Sequence, residues 1–502
     1  MEVIQTTKQS SGSSIDAYPP WVMLEPGADV ETTGSYATAD ANTLVVARTS
    51  NGDPIGVSLR LKSPPAESRV CFHFPHDAKP DRHANEVIAA NGDSVLIRIV
   101  REERNNYFIY NAGTTDAGSS QPPSLSLLPP CSRYLAKDKT GILRCGEDGL
   151  VVARLEMVQL KDETPTKHVA DVVRFRSGAW YIERPRISGV SNGTEEEMFL
   201  SSWFCWSVIP VGDDMLCWVS LHRGLIFSKV YNERLTLQYV PLPEDASCTE
   251  HFYSSWNVCV TAVDTVKFVN IFARCCCGGA GGCKCQHSQH AYLIKTWTLR
   301  MDSMTWVIDG MMDATELWAL NAYKSLPRIQ VGFPVVSMDE PDVICFVVND
   351  DKAWLIMVDM KTKMLRSIYS YPKGESVHRY PGKIFLPSKV SYYLNSKNPG
   401  SNSEREIEPQ QVAIDYNQLK YDASNTKLLP SCCKTSAERE MHASEIFVAL
   451  QEISSYGLEG DDMRKAISIL SHGNGRLFSS YLGIPTRLRK DWLRMEINAS
   501  IG

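Results

Sequence analysis

Apolar and polar positions alternate along most of this chain in short runs, and Gly, Pro, Asn and Asp punctuate them. Thr43–Arg48, Ile55–Leu61, Arg69–Phe74, Ser94–Val100, Asn106–Asn111 and Leu150–Leu160 are of this kind. So are Met215–Leu221, Leu225–Val230, Val258–Phe272, Ala291–Leu299, Val343–Val348, Trp354–Met360 and Met364–Tyr369. Each is rich in Val, Ile, Tyr, Phe and Trp, the signature of strands. Turn residues separate them, as in Asn51-Gly52-Asp53-Pro54, Gly212-Asp213-Asp214 and Arg223-Gly224. Helical periodicity is nearly absent before residue 395, with Glu316–Tyr323 as the one short helix expected.

An all-β stretch of about 370 residues must hide its sheet edges, and radial repetition of four-stranded blades does so at this size. The pattern therefore predicts a mainly β fold over 18–394, a β-propeller-like repeat of six to eight blades. Residues 1–17 read as a disordered tail and 395–435 as a polar linker. The period then changes. Ser444, Asp461, Asn474 and Pro485 each open a helical pattern, which makes 436–502 a small α-helical module.

The composition suits a globular protein, with 43% hydrophobic and 22% charged residues. A net charge of −6 argues against nucleic acid as a partner of the whole molecule. The start is polar and no apolar run reaches membrane-spanning length, so the expectation is a cytoplasmic or nuclear protein with no membrane contact. In that setting the 15 cysteines read as thiols, and Cys71, Cys145, Cys205, Cys217, Cys259 and Cys345 as buried strand residues. The Asn192-Gly193-Thr194 sequon carries little weight there.

Several segments resemble a large plant family, expanded in grasses, known only as domain of unknown function 1618. They are Tyr18–Leu24, Trp218–Pro243 with its Arg223-Gly224-Leu225-Ile226 turn, Val331–Ser337, Val358-Asp359-Met360 and the tail Tyr456–Ile497. The family core would span about 200–390. The resemblance implies no known chemistry and transfers no catalytic or binding residue.

Candidate chemistry is sparse. Cys275, Cys277, Cys283, Cys285, His287 and His290 crowd a Gly-rich segment between two strand-like runs, where thiolates and imidazoles could hold zinc. The spacing matches no finger, and a Gly/Cys-rich hairpin insertion without a metal is the plainer reading. Arg476, Arg487, Arg489, Lys490 and Arg494 suggest a basic helix, diluted by Asp491 and Glu496. Trp203, Trp206, Trp218, Trp256, Trp297, Trp306 and Trp354 are expected to pack between sheets, with one or two available as anchors at a propeller mouth. The acidic groups Asp213-Asp214, Glu195-Glu196-Glu197 and Asp461-Asp462 are expected in solvated loops. HExxH, GxSxG, Walker and Rossmann motifs are missing from the sequence.

No catalytic or cofactor-binding residue stands out. The leading expectation is a non-catalytic protein-interaction module. The alternatives are an enzyme acting on a sugar or small metabolite in a central pocket, and a nucleic-acid-associated regulator using the basic tail.

Overall fold

The computed structural model describes residues 17–395 except 33–35, 75–84, 114, 117–118, 146–148, 161–166, 191–192, 244–252, 262–263, 274–291, 351 and 372–384. The expected linker and helical module after residue 395, the Cys/His segment, the basic tail and the Asp461-Asp462 pair therefore lie outside the described residues. The chain is mainly β, and its strands form a six-bladed β-propeller.

Blades 2 to 6 each run outward from an inner strand through an antiparallel meander. Blade 2 is Glu86–Asn91, Ser94–Arg101, Arg104–Asn111 and Ser124–Leu127. Blade 3 is Thr140–Cys145, Gly149–Leu160, Lys167–Arg176 and Ala179–Glu183. Blade 4 is Ser207–Val211, Met215–Ser220, Gly224–Lys229 and Leu237–Pro241. Blade 5 is Trp256–Val260, Val266–Ala273, Tyr292–Arg300 and Thr305–Asp313. Blade 6 is Gly332–Val336, Val343–Asn349, Ala353–Asp359 and Met364–Ser370.

Blade 1 closes the ring with both ends of this region. From the outside inward it contains Val45–Arg48, Pro54–Arg60 and Glu67–His73. Val22–Leu24 then lies parallel to the start of the Glu67 strand and antiparallel to Leu386–Ser388. The N-terminal strand is thus held between an early strand and a late one, which removes the two edges an open ring would expose.

Among the described residues the buried apolar side chains form six clusters, one in each seam between neighbouring blades. Trp218 and Leu143 meet between blades 3 and 4, and Phe268 and Phe227 between blades 4 and 5. Each middle strand faces a seam on both sides, so Ser94–Val100 and Val343–Val348 are buried almost continuously. Trp218, Trp256 and Trp297 pack in these seams as expected. Cys71, Cys205, Cys217, Cys259 and Cys345 are buried thiols.

Three local expectations are corrected. The single run Val258–Phe272 is two strands, because Thr261–Thr265 turns back on itself with Asp264 at φ 56°. Glu195-Glu196-Glu197 is the first turn of a helix, Thr194–Ser201, where carboxylates suit the positive end of the helix dipole. Helices also cover Ala314–Ala319, which begins two residues before the foreseen Glu316–Tyr323 and overlaps its first half, and Val390–Asn395, which was not foreseen. The former is held by a capping box between Asp313 and Glu316.

The Val358-Asp359-Met360 turn has a clear physical cause. The Asp359 carboxylate accepts the backbone N–H groups of Lys361 and Thr362, at 3.0 and 2.9 Å, and pairs with Arg366. Burial alone would raise its pKa, but these donors outweigh burial and lower it to about 2. A depressed carboxylate stabilises the fold above its unfolded pKa near 3.8, and that contribution is lost as pH falls toward 2. Asp359→Asn should therefore lower the thermal midpoint at pH 6 while flattening its fall between pH 4 and 2, as followed by circular dichroism. Parallel pH profiles for the two proteins would refute this.

Candidate functional site: the central cavity

The inner strands of a propeller are short and surround an axis, so their first turns crowd one end of it. Here the turns after the inner strands of blades 2, 4 and 5, with residues of the other three blades, enclose a cavity of about 460 Å³. That is within the range of small-ligand sites. Val208, Ile209, Val258, Phe385 and Leu386 contribute apolar wall. Tryptophan is not among the lining residues, so the expected anchor at the mouth is not supplied by that residue type.

The polar groups come from the turns. Asp93 follows Gly92 in blade 2, Asp213 follows Gly212 in blade 4, and Asp264 sits in the blade 5 turn. Arg144 is the penultimate residue of the inner strand of blade 3, Lys389 precedes the closing helix Val390–Asn395, and Tyr393 lies within it. Buried Asp93 is already engaged, with Arg144 Nε at 3.4 Å and the Ser94 hydroxyl donating at 2.7 Å. Arg144 is itself placed by its backbone N–H, which donates to Asn91 Oδ1 across the seam at 2.8 Å. A similar tie links blades 5 and 6, where Asn257 Nδ2 donates to the Pro334 carbonyl at 2.8 Å.

Asp213 and Asp264 are exposed, and neither makes an ion pair among the described residues at the mouth. Their turns meet. A Cβ at Gly212, whose φ is 59°, would lie 3.9 Å from the Asp264 carboxyl carbon. Burial raises the Tyr393 phenol pKa, and the fields of Asp93 and Asp213 add to it, so the hydroxyl remains neutral. Burial likewise pushes the Cys259 thiol in the wall up to about 11, which makes it a poor nucleophile. The cavity thus combines apolar walls, a spent Asp93–Arg144 pair, and the exposed carboxylates of Asp213 and Asp264, with Lys389 also among its lining residues.

Two other constellations are filled networks. Between blades 5 and 6, a space of about 240 Å³ adjoins buried Lys267. Its ammonium is satisfied by the Pro341 carbonyl at 2.7 Å, Asp309 at 3.0 Å and Asp342 at 3.4 Å. In blade 1, Ser58 Oγ lies 2.8 Å from His73 Nε2, and His73 Nδ1 lies 3.3 Å from Glu31. The order of groups is that of a hydrolytic triad. However, Ser58 and His73 are 2% and 3% exposed, and His73 Nδ1 makes no hydrogen bond in this geometry. The Tyr36 ring covers them edge-on at 5.7 Å. This trio holds the Asp29–Glu31 strand onto blade 1. Among the described residues no group of three or more His, Cys, Asp or Glu is arranged to hold a metal.

Of the residues singled out from sequence, Asp213 and the strand cysteine Cys259 reach the cavity; Asp214 pairs instead with Lys229 at 2.9 Å. Glu197 is occupied by His168, whose backbone N–H donates to it at 2.9 Å. Asp93, Arg144, Asp264, Lys389 and Tyr393 were not foreseen. One signal was available: Gly92-Asp93 and Gly212-Asp213 recur after short inner strands, at matching places in two blades.

Comparison with known families now places the chain. Residues 218–345 match a protein family of unknown function, DUF1618. Over that stretch the chain is similar to DUF1618. That match runs from the second strand of blade 4 to the second strand of blade 6, so it is a stretch of related sequence cut across blades rather than a unit that closes on itself. The DUF1618-like motifs within the described residues map to scaffold. Val331–Ser337 is the inner strand of blade 6 with an irregular register between Gly332 and Val335, and Trp218–Pro243 is the blade 4 meander.

Comparison with curated proteins gave no match. Among solved structures the chain is similar to the Bombyx mori GH32 beta-fructofuranosidase BmSUC1, at 9% identity and a TM-score of 0.24, over 57% of this chain and 59% of that one. It is also similar to the subtype N11 neuraminidase-like protein of A/flat-faced bat/Peru/033/2010, at 10% identity and a TM-score of 0.27, over 71% of this chain and 98% of that one. Among the described residues no helix is long and apolar enough to cross a membrane.

Proposed function

We propose that this DUF1618 propeller is a non-catalytic protein-recognition module that receives a basic side chain of a partner in its central cavity. One observation carries the reading: Asp213 and Asp264 stand on adjoining turns at the mouth of an apolar-walled cavity. A lysine or arginine has a long apolar stem and a charged head, and it is complementary to apolar walls leading to carboxylates. The ring of six seams keeps those turns in fixed relation, which suits recognition by a rigid surface.

Capped hexapeptides with a central Arg, Lys, Leu or Glu test this by calorimetry on the full chain. The Arg and Lys peptides should bind and the others should not. Asp213→Asn with Asp264→Asn should weaken binding by about 1 kcal/mol, roughly fivefold at low salt and less at high salt, since both carboxylates are exposed. Equal binding of all four peptides, or of none, would overturn the proposal. Hydrolysis of nitrophenyl glycosides that is lost in the same double variant would favour the enzymatic alternative.

A further inference from the structure

At the other end of the inner strands, the segment Pro129–Lys139 crosses from blade 2 to blade 3 and covers a charged seam. Asp171, whose side chain is fully buried, is flanked by Arg184 at 3.2 Å and Arg133 at 3.6 Å. Those two arginines are 52% and 46% exposed, so each has one side free to meet solvent. Glu156 lies directly across the strands from Asp171 and pairs with Lys139 and Arg154. Burial raises the pKa of the Cys131 thiol, and the fields of Arg154 and Arg133 act against that rise. Next to it, Tyr107 lies in the fields of Cys131, Arg98 and Glu86. Arg98 and Lys137 share Glu86, at 3.0 and 3.8 Å.

Six cations thus lie along one seam with the carboxylates of Asp171, Glu156 and Glu86, and Asp138 stands between Lys137 and Lys139 in the same segment. The donors are also incompletely used. Arg154 is 5% exposed and its Nε and Nη1 have no acceptor, and Arg98, 6% exposed, has an unmatched Nε. Buried N–H groups of a guanidinium are costly to leave unmade, and water would satisfy them without balancing the excess charge. A small anion does both.

We infer that this seam between blades 2 and 3 binds a compact oxyanion of the phosphate type, held by Arg154 from within and by Arg133 and Arg184 from the surface. Arginine suits that task because its planar donors match the oxygens of a phosphate two at a time. The site is independent of the central cavity and of the peptide recognition proposed there.

Calorimetric titration of the full chain with inorganic phosphate, at constant ionic strength in chloride, is the direct test; glycerol phosphate in a parallel titration separates a free ion from a monoester. One of the two should bind with saturation, and sodium chloride should not imitate it. Arg133→Gln and Arg184→Gln, made singly so that Asp171 keeps one partner, should each raise the half-saturating concentration at least threefold. Arg154→Met should raise it at least tenfold in protein whose circular dichroism is unchanged. Heats indistinguishable from chloride for both anions in the wild-type chain would overturn the inference. So would undiminished affinity in both surface variants, whether or not Arg154→Met folds.

Discussion

Replacing Trp218 by alanine should destabilise the propeller by about 3–5 kcal/mol. The indole is completely buried in the seam between blades 3 and 4, among Leu143, Val151 and Ile226. Truncation removes its transfer free energy and leaves a void that a β-seam, pinned by hydrogen bonds on both sides, closes poorly. It also strands a polar group. Trp218 Nε1 donates to the Lys139 carbonyl at 2.9 Å, which ties blade 4 to the segment that begins blade 3. Trp218→Phe keeps one six-membered ring but loses the pyrrole half and that donor, so it should cost less than the alanine variant, about 1–3 kcal/mol. Urea unfolding followed by fluorescence and circular dichroism measures both. A loss below about 1 kcal/mol for the alanine variant would contradict this account of the seams.

The second large effect concerns closure. Val22 is wholly buried, pairs with Ser388, and packs in the cluster between blades 1 and 2. An aspartate there places a charge inside an apolar cluster, at a cost of about 3–5 kcal/mol or more. The strand is also the element that joins the two ends of the ring. Val22→Asp should therefore detach the Leu386–Ser388 strand as well as weaken blade 1. The expected readouts are rapid proteolysis between blades 6 and 1 and a lower thermal midpoint. Val46→Asp is the control, because Val46 is 44% exposed on the outermost strand of the same blade. It should stay within about 0.5 kcal/mol of wild type. Equal sensitivity of the two variants would mean that the N-terminal strand does not close the molecule.

These expectations rest on geometry that the sequence disclosed unevenly. Leu225–Val230 and Trp354–Met360 are recognisable as strands because β-branched and aromatic residues fill them and turn residues bound them. The turn at Arg223-Gly224 is legible for the same reason. Gly224 has φ 147°, and a Cβ there would lie 2.4 Å from the Val240 carbonyl oxygen. Strict alternation is less general than the chain first suggests. The middle strands contact a neighbouring blade on each face, so Val343–Val348 is apolar at every position. That double burial is itself a sign of stacked sheets. The turn at Thr261–Thr265 was hidden because its flanks are equally apolar, and only the backbone reversal at Asp264 divides the run.

Local preferences along the polypeptide were enough to establish a β-rich ring, a short helix near Glu316, and burial of the large aromatics and of most strand cysteines. Those features depend on residues close together in sequence, where propensity and turn chemistry act directly. The number of blades, the sharing of blade 1 by both ends, and the company that each charge keeps were decided by tertiary structure. Asp93 and Asp264 are separated by more than a third of the described region, yet both line one cavity. Arg133 and Arg184 converge on Asp171 in the same way. A site assembled from the turns of several blades leaves no continuous motif, because ring closure alone brings those turns together.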